Sequence, residues 1–413
     1  MRCCFITLGC RVNQYESDAM AELLTQAGFE ITENPSEADV CIVNTCTVTN
    51  IADRKSRQML SKAHKLNPNA KLIAAGCFAQ RSTEAAAKLE GVYAVLGSAD
   101  KNRVVELVKS IAEGRENESK SEKCNCGEKE LCDCCGGMKK FEQPENSECS
   151  GNAAGGTKIL VRDVMHEHEF EEMSAVHEGR TRAYLKIQDG CNMFCTYCAI
   201  PYARGGLRSR SIESVRAEAE KLNNEGFSEV VLTGIHLMSY GRDLRSGTDI
   251  RDAVRCFDGL NNIKRIRFGS LEPHMMTDEI IAELADNKRI CRQFHLSLQS
   301  GSDTVLERMR RGYTSGQYFE LCQKLRRKQP LQPILLQVFR AKRKRSILKQ
   351  SNSCVKWVLR KFISSRIQGE AEQRRMQCRV SCQMPKKAAE QVSLLLPAGN
   401  RNTNTLNNTL EKQ

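Results

Sequence analysis

Tyr184-Leu-Lys-Ile187-Gln-Asp-Gly-Cys191-Asn-Met-Phe-Cys195-Thr-Tyr-Cys198 joins a short apolar run to three cysteines spaced C-x3-C-x2-C. The run Tyr184–Ile187 predicts a buried strand, and the cysteines fall on the loop that leaves it. Three thiolates on one short loop can ligate three irons of a [4Fe–4S] cluster. The motif contains no fourth cysteine, so one iron stays open to another ligand. An open coordination position is what separates a catalytic metal site from a closed structural one. A zinc loop or a set of buried cysteines is the alternative, and the position of the lone triad directly after a strand weighs against both.

Outward from this loop, apolar runs alternate with helix-period segments. Downstream, strands are expected at Glu229–Thr233, Arg265–Gly269 and Gln293–Leu298. Helices are expected at Ile212–Glu225, Ile250–Phe257, Thr277–Asp286, Thr304–Met309 and Ser315–Lys328. This is a βα series compatible with part of a barrel. Upstream, strands Cys3–Leu8, Val40–Val43, Lys71–Ala75 and Val92–Leu96 alternate with helices Tyr15–Ala27, Asp53–Leu66, Ser82–Leu89 and Asn102–Ala112. That alternation predicts a parallel sheet with helices on its faces. The fold class is therefore α/β: an N-terminal parallel-sheet domain over 1–112 and a partial (βα) barrel over 156–327 that is incomplete at its C-terminus.

Between the two, residues 113–155 are dominated by Glu, Lys, Ser, Asn and Gly, with six cysteines (Cys124, Cys126, Cys132, Cys134, Cys135, Cys149). A segment so poor in bulky apolar residues cannot offset its ordering entropy, and we expect a disordered insert. Its cysteine spacings fit no single zinc pattern.

A second set of cysteines is dispersed. Cys10, in Leu8-Gly9-Cys10-Arg11-Val12-Asn13-Gln14, follows the first expected strand. Cys46 follows the second, in Asn44-Thr45-Cys46-Thr47, and Cys77 the third, in Ala75-Gly76-Cys77-Phe78. The carboxyl ends of strands in a parallel sheet form the crevice where such folds bind ligands, beside helix N-termini. Three thiolates converging there suggest a second three-ligand cluster. Cys3, Cys4 and Cys41 lie inside strands and read as core.

Composition narrows the function classes. The 413 residues suffice for two or three domains. Residue Met1 is followed at once by a strand-like run and not by a basic-then-apolar leader, so secretion is not expected. No apolar stretch approaches the ~20 residues of a membrane helix. Twenty-one cysteines in that setting argue for reduced thiols, a cytoplasmic location and metal, against a disulfide framework. The net charge of +13 invites a nucleic-acid reading, yet residues 340–413 hold 17 Lys and Arg against four acidic residues, and the rest of the chain is neutral.

The cysteine loop resembles that of radical S-adenosylmethionine (SAM) enzymes, in which an aromatic residue typically precedes the third cysteine, as Tyr197 does here. The wider set of motifs resembles the radical SAM methylthiotransferases, specifically the bacterial type acting on threonylcarbamoyladenosine in tRNA. The phrases are Thr7-Leu-Gly-Cys10-Arg-Val-Asn-Gln-Tyr-Glu16, Asn44-Thr-Cys46-Thr-Val-Thr49, Ala52-Asp-Arg-Lys-Ser-Arg-Gln58, Leu232-Thr-Gly-Ile-His-Leu237 and Ser270-Leu-Glu-Pro273. His295-Leu-Ser-Leu-Gln-Ser-Gly301 and Met309-Arg-Arg-Gly-Tyr-Thr314 complete them. The resemblance covers 1–112 and about 155–327.

It implies two [4Fe–4S] clusters, on Cys191, Cys195 and Cys198 and on Cys10, Cys46 and Cys77. A SAM-derived radical would abstract a hydrogen from C2 of the modified adenine, the second cluster would supply sulfur, and a second SAM the methyl group. The implied partners are tRNA, an unidentified electron donor and a sulfur source, with no membrane. Gly234, Ser270, Glu272 and Gln299, at expected strand ends, are candidate SAM contacts alongside Tyr197; turn structure is the alternative for each. Arg204, Arg208 and Arg210 either meet an anion such as the SAM carboxylate or form a solvated basic turn. His236 and His295 carry no assigned role. Other functional readings are a methylthiotransferase acting on a ribosomal protein side chain, a thiol-rich metal-storage or zinc protein, and an inactive product of a damaged reading frame.

The last reading comes from residues 328–413. The βα pattern stops there, Asp is absent from 340 to 413, and basic residues crowd 340–387. Permitted codons for Leu331 to Leu348, read one step over from the third base, encode Thr-Thr-Asp-Ile-Ile-Ala-Gly-Phe-Pro-Gly-Glu-Thr-Glu-Glu-Glu-Tyr-Phe. That string contains a strand, a Gly-containing turn and an acidic helix start, which is what a barrel needs next. It also resembles the family's continuation. We therefore expect an aberrant basic tail, without the last barrel strands and the small RNA-binding β-barrel that follows them in the family. The alternative is a genuine basic RNA-binding extension. Sequencing the gene across codons 320–340 is expected to show codons compatible with the shifted string; codons that cannot encode it would refute the shift.

Overall fold

Successive residues of the N-terminal strands point to opposite faces of one sheet, and both faces are apolar. The computed structural model describes residues 1–114, 156–175, 181–328 and 335–338. The N-terminal elements are β1 (Arg2–Thr7), α1 (Arg11–Gln26), β2 (Glu30–Thr32), β3 (Val40–Thr45), α2 (Asn50–Leu66), β4 (Lys71–Gly76), α3 (Cys77–Arg81), α4 (Thr83–Ala87), β5 (Val92–Leu96), α5 (Val104–Ala112) and β6 (Lys158–Leu160). The strands form one all-parallel sheet in the order β2-β1-β3-β4-β5-β6.

Cys3, Val40, Ile42, Ile73, Ala75, Ala94 and Leu96 pack with Met20 and Leu24 of α1 and Val104, Leu107 and Val108 of α5 on one face. Cys4, Cys41, Val43, Leu72, Ala74 and Val95 pack with Leu60 of α2 and Phe78 of α3 on the other. Two buried faces explain why these strands are near-continuous apolar runs. Cys3, Cys4 and Cys41 are thus core residues, and burial pushes the Cys3 thiol up to about 11.

One boundary differs from expectation. β6 falls in the segment expected to begin the barrel, yet it pairs with β5 as the sixth strand of the N-terminal sheet. Its three residues are too few for a period, and only the pairing assigns it. The expected insert lies almost wholly, and the expected aberrant tail mostly, outside the described residues.

The second series comprises β7 (Ala183–Lys186), β8 (Gln188–Asp189), α6 (Ile200–Arg204), β9 (Arg208–Ser209), α7 (Ile212–Asn224), β10 (Glu229–Thr233), α8 (Ile250–Arg255), β11 (Arg265–Phe268), β12 (Ser270–Leu271), α9 (Asp278–Asp286), β13 (His295–Gln299), α10 (Asp303–Arg308), α11 (Ser315–Lys328) and β14 (Leu335–Val338). β7, β10 and β11 pair in parallel in the order β11-β10-β7, and β12 pairs in parallel with β13. Side-chain caps start the helices: Ser211 accepts from the Ser214 N–H before α7, and Asp249 and Asp252 form a capping box at α8. The chain divides into two compact units, one of Met1–Ser297 with Leu321–Leu335, and a second whose described parts are 298–320 and 336–338. In the second, Tyr313 donates to the Leu298 carbonyl at 3.1 Å and the Ser315 N–H to Asp303 at 2.7 Å.

Within the first unit, α1 touches both halves. The Tyr15 hydroxyl donates to the Met173 carbonyl at 2.6 Å. The next residue, Glu16, is fully buried among Lys101 Nζ at 3.1 Å, Lys186 Nζ at 2.7 Å and Arg204 Nη1 at 2.7 Å. Asp189 completes the cluster, 2.7 Å from Lys186 and 3.0 Å from Arg204. Burial alone would raise both carboxyls, but the surrounding cations outweigh it and hold both below the ordinary carboxylate range. Carboxyls depressed in the folded state stabilise it above their unfolded pKa near ~4, and that stability drains as pH falls toward the lower folded values. Glu16→Ala strands three buried cations with one carboxylate, and is expected to cost about 3–5 kcal/mol at neutral pH. Urea unfolding of the variant and the parent chain checks this; a loss under about 1 kcal/mol would mean that the cluster is hydrated or rearranges.

Candidate functional site

Cys10, Cys46 and Cys77 stand at the ends of adjacent strands, as expected from the sequence. Cys10 is the exposed N-cap of α1, Cys46 follows β3 and is 6% exposed, and Cys77 opens α3 at 2%. One side chain links Cys10 and Cys77. Asn13 donates to the Leu8 and Thr45 carbonyls at 2.8 and 2.9 Å, while its Oδ1 lies 3.7 Å from Cys10 Sγ and 4.0 Å from Cys77 Sγ. Gly9 closes the other side. Its φ of +104° favours glycine, and a Cβ there would sit 3.0 Å from Cys46 Sγ. Burial pushes the Cys77 thiol up to about 11, against the pull of the Arg204 guanidinium.

The second triad sits on the loop between β8 and α6. Cys191 and Cys195 are buried and Cys198 is half-buried. The loop is shaped by backbone: the Cys191 N–H donates to the Gly205 carbonyl at 3.1 Å, the Cys198 N–H to the Cys195 carbonyl at 2.9 Å, and the Ile200 N–H to Cys198 Sγ at 3.4 Å. Gly190, at φ +68°, lies so close to the Gly206 carbonyl that a Cβ would collide with it. Burial pushes the Cys191 thiol up to about 11.

None of the described cysteines is in a disulfide. Among the described residues no three His, Cys, Asp or Glu side chains enclose a single metal-ion position. A cluster takes one thiolate per iron and so asks for wider spacing than one ion. The donor sets fit that chemistry: each holds three thiols, with an N–H on one sulfur of each, Ile200 N–H on Cys198 and Arg204 Nε–H on Cys77. The buried Thr47 hydroxyl beside Cys46 has no hydrogen-bond partner, an orphan of the kind that accompanies an absent group.

The three arginines after the loop are not a solvated turn. Arg204, Arg208 and Arg210 are 0%, 3% and 4% exposed. Arg204 pairs with Glu16 and Asp189, and Arg210 reaches Glu172 at 2.9 Å and Glu218 at 3.5 Å. Arg208 lies 3.9 Å from Asp189. The charges of Arg204 and Arg210 are committed internally because a buried guanidinium must be paired, whereas the buried Arg208 Nη1 has no hydrogen-bond partner.

The expected SAM contacts are spread along the strand ends. Gly234 follows β10, where a Cβ would meet Gln188 Oε1 at 2.9 Å. The Ser270 hydroxyl lies 3.0 Å from that of Ser297 across β12 and β13. Glu272 is 9% exposed, with His236 Nε2 at 3.9 Å and His274 Nδ1 at 3.7 Å. Tyr197 is 40% exposed. Gln299 belongs to the second compact unit, where its φ is +61° and its buried Oε1 has no hydrogen-bond partner.

Three residues of the site were not singled out from sequence: Asn13, Glu16 and Gln188. Gln188 donates to the Asp189 and Gly190 carbonyls at 2.6 and 2.7 Å and accepts from the His236 N–H at 2.6 Å, tying the cysteine loop to the loop after β10. A polar residue at the end of an otherwise apolar strand run is the one local sign it gives.

Two family models match: "Uncharacterized protein family UPF0004" over residues 2–97 and "Radical SAM superfamily" over 185–335. The threonylcarbamoyladenosine tRNA methylthiotransferase MtaB of Bacillus subtilis is 36% identical over 327 residues, 79% of this chain and 64% of that protein. The protein of the same name from Aquifex aeolicus is 34% identical over 336 residues, covering 81% and 72%. The tRNA-2-methylthio-N(6)-dimethylallyladenosine synthase of Dictyoglomus thermophilum is 32% identical, covering 79% and 65%. The chain thus spans about two thirds of the length of these relatives. Among solved structures, the radical SAM methyltransferase TsrM from Kitasatospora setae shares the fold, at a TM-score of 0.56 and 15% identity over 86% of this chain and 71% of that one. The chain belongs to the radical SAM methylthiotransferase family. No helix among the described residues is long and apolar enough to cross a membrane.

If each triad holds one cluster, replacing Cys10, Cys46 and Cys77 together with alanine is expected to remove about half of the iron taken up on anaerobic reconstitution. Iron per chain measures it, and an unchanged content would exclude a cluster at the sheet edge.

Proposed function

We propose that the chain is a two-cluster transferase that places a methylthio group on C2 of threonylcarbamoyladenosine next to the anticodon of tRNA. One observation carries the reading: two separate sets of three thiols end neighbouring strands of the sheet and the first barrel loop. The motifs of both sets match the family, and relatives named for threonylcarbamoyladenosine support the substrate. A cluster held by Cys191, Cys195 and Cys198 would supply the reducing electron for SAM cleavage, and one held by Cys10, Cys46 and Cys77 would supply sulfur.

The chain's own residues bind, orient and shield. Cys191, Cys195 and Cys198 hold one cluster, and Cys10, Cys46 and Cys77 the other. Gln188 fixes the loop that carries the first set against the loop after β10, so the cofactor site is held by backbone as well as side chains. Tyr197, Gly234, Ser270, Glu272 and Gln299 are the proposed SAM contacts. Glu272 is an acceptor suited to the SAM amino group. The partners are tRNA, an electron donor and a sulfur source, and the reaction is placed in the cytoplasm.

Single alanine substitutions at Cys191, Cys195 and Cys198 are each expected to abolish reductive formation of 5′-deoxyadenosine, because all three thiolates are needed to leave one open iron. Mass spectrometry of tRNA nucleosides, run with the chain as written and with its frame restored after residue 330, reads the second half of the reaction. Deoxyadenosine at the parent rate from any of the three variants would overturn the radical chemistry. Methylthio-modified protein with unmodified tRNA would overturn the substrate.

A further inference from the structure

Arg204 touches both halves of the candidate site. It ends α6, six residues after Cys198, so the segment that carries the loop triad also carries this guanidinium. Its side chain reaches into the N-terminal domain. Nε donates to Cys77 Sγ at 3.3 Å, Nη2 donates to Asn13 Oδ1 at 2.7 Å, and Nη1 and Nη2 take Glu16 Oε1 and Oε2 at 2.7 and 2.9 Å. Asp189 holds Nη1 from the barrel side through both its oxygens at 3.0 Å. The group is fully buried, and Glu16 and Asp189 hold it in place from two sides. Asn13 is the residue that also touches Cys10 and Cys77. A cation tethered in this way is ordered more tightly than a Cys77 contact alone requires.

We infer that Arg204 is a positioning residue for the sheet-edge cluster: its Nε–H fixes the Cys77 sulfur, and its charge raises the reduction potential of the group that Cys77 ligates. The inference rests on the proposed ligation by Cys10, Cys46 and Cys77. Hydrogen bonds to ligand sulfur and net local charge are two of the factors that set iron–sulfur potentials. An N–H on sulfur and a nearby positive charge both favour the more negative, reduced state. The bidentate fork on Glu16 matters because it holds Nε at the sulfur, which a lysine's single ammonium cannot do while also meeting Glu16, Asp189 and Asn13. The same side chain thereby couples the positions of the two triads, since a shift of α6 moves Cys198 and the Cys77 contact together.

The test uses the full chain with Cys191, Cys195 and Cys198 replaced by alanine, so that the sheet-edge cluster is the only one present. After anaerobic reconstitution with iron and sulfide, iron per chain and the midpoint potential, followed by electron paramagnetic resonance, are measured in this background and with Arg204→Gln, Arg204→Lys or Glu16→Gln added. Arg204→Gln is expected to move the midpoint to lower potential, and Arg204→Lys part of the way. Glu16→Gln is expected to move it upward, because it removes a negative charge and leaves the guanidinium. A purely structural role would disturb the cluster alike in both, so opposite shifts support the assignment. Equal midpoints in the background and Arg204→Gln, or shifts of the same sign in Arg204→Gln and Glu16→Gln, overturn it. If circular dichroism shows Arg204→Gln unfolded, Arg204→Lys decides: a background midpoint in that variant overturns the inference, and a lowered one supports it. Absence of iron in the background chain itself overturns the ligand reading, and the inference with it.

Discussion

A carboxylate without water must be neutralised where it stands, and Glu16 is such a carboxylate. It sits on the buried face of α1, and its partners come from three other places: Lys101 before α5, Lys186 on β7 and Arg204 at the end of α6. Two partners belong to the barrel series and one to the N-terminal domain. Burying a charge costs several kcal/mol per ion unless geometry and hydrogen bonds repay it, so the position of α1, the path of β7 and the end of α6 are constrained together. The thiols at the sheet edge inherit that constraint through Asn13, three residues before Glu16, and through the guanidinium that bridges both.

The strands with two apolar faces were legible, because alternation of buried residues leaves a near-continuous apolar run. Val92–Leu96 and Glu229–Thr233 have the bounds read from sequence. The strand-end placement of Cys10, Cys46 and Cys77 followed from those runs, since a cysteine just past a parallel strand falls in the crevice. β2 and β6 were not legible. Each has three residues, and their identity as strands lies in pairing with β1 and β5, which no local window contains. The segment Ser82–Leu89, read as one helix, holds α4 over Thr83–Ala87, and the short α3 over Cys77–Arg81, not read from sequence, precedes it with a break at Ser82 where the backbone leaves the helical region.

Charged residues misled for a different reason. The solvated turn weighed for Arg204, Arg208 and Arg210 rests on the rule that isolated charges are rarely buried, and the paired burial of Glu16, Lys186 and Arg204 has no local sign. What makes their burial tolerable is mutual neutralisation across more than 180 residues of sequence, from Glu16 to Arg204. Neither composition nor periodicity holds that information. Arg210 follows the same rule, and a basic stretch after a cysteine loop is therefore a poor indicator of an anion site when carboxylates from other elements can reach it.

The order of the N-terminal sheet also has a consequence for how the chain is made. β5 is complete long before its neighbour β6 exists, and roughly sixty residues must be added first, which takes several seconds at about 5–20 residues per second. For that interval the nascent sheet presents a finished parallel edge whose N–H and C=O groups have no partner, a template for any other extended segment. A ribosome-bound chain of this kind is exposed to misassembly with its own later strands or with neighbouring nascent chains. Codon speed across the stretch after α5 then becomes a determinant of yield.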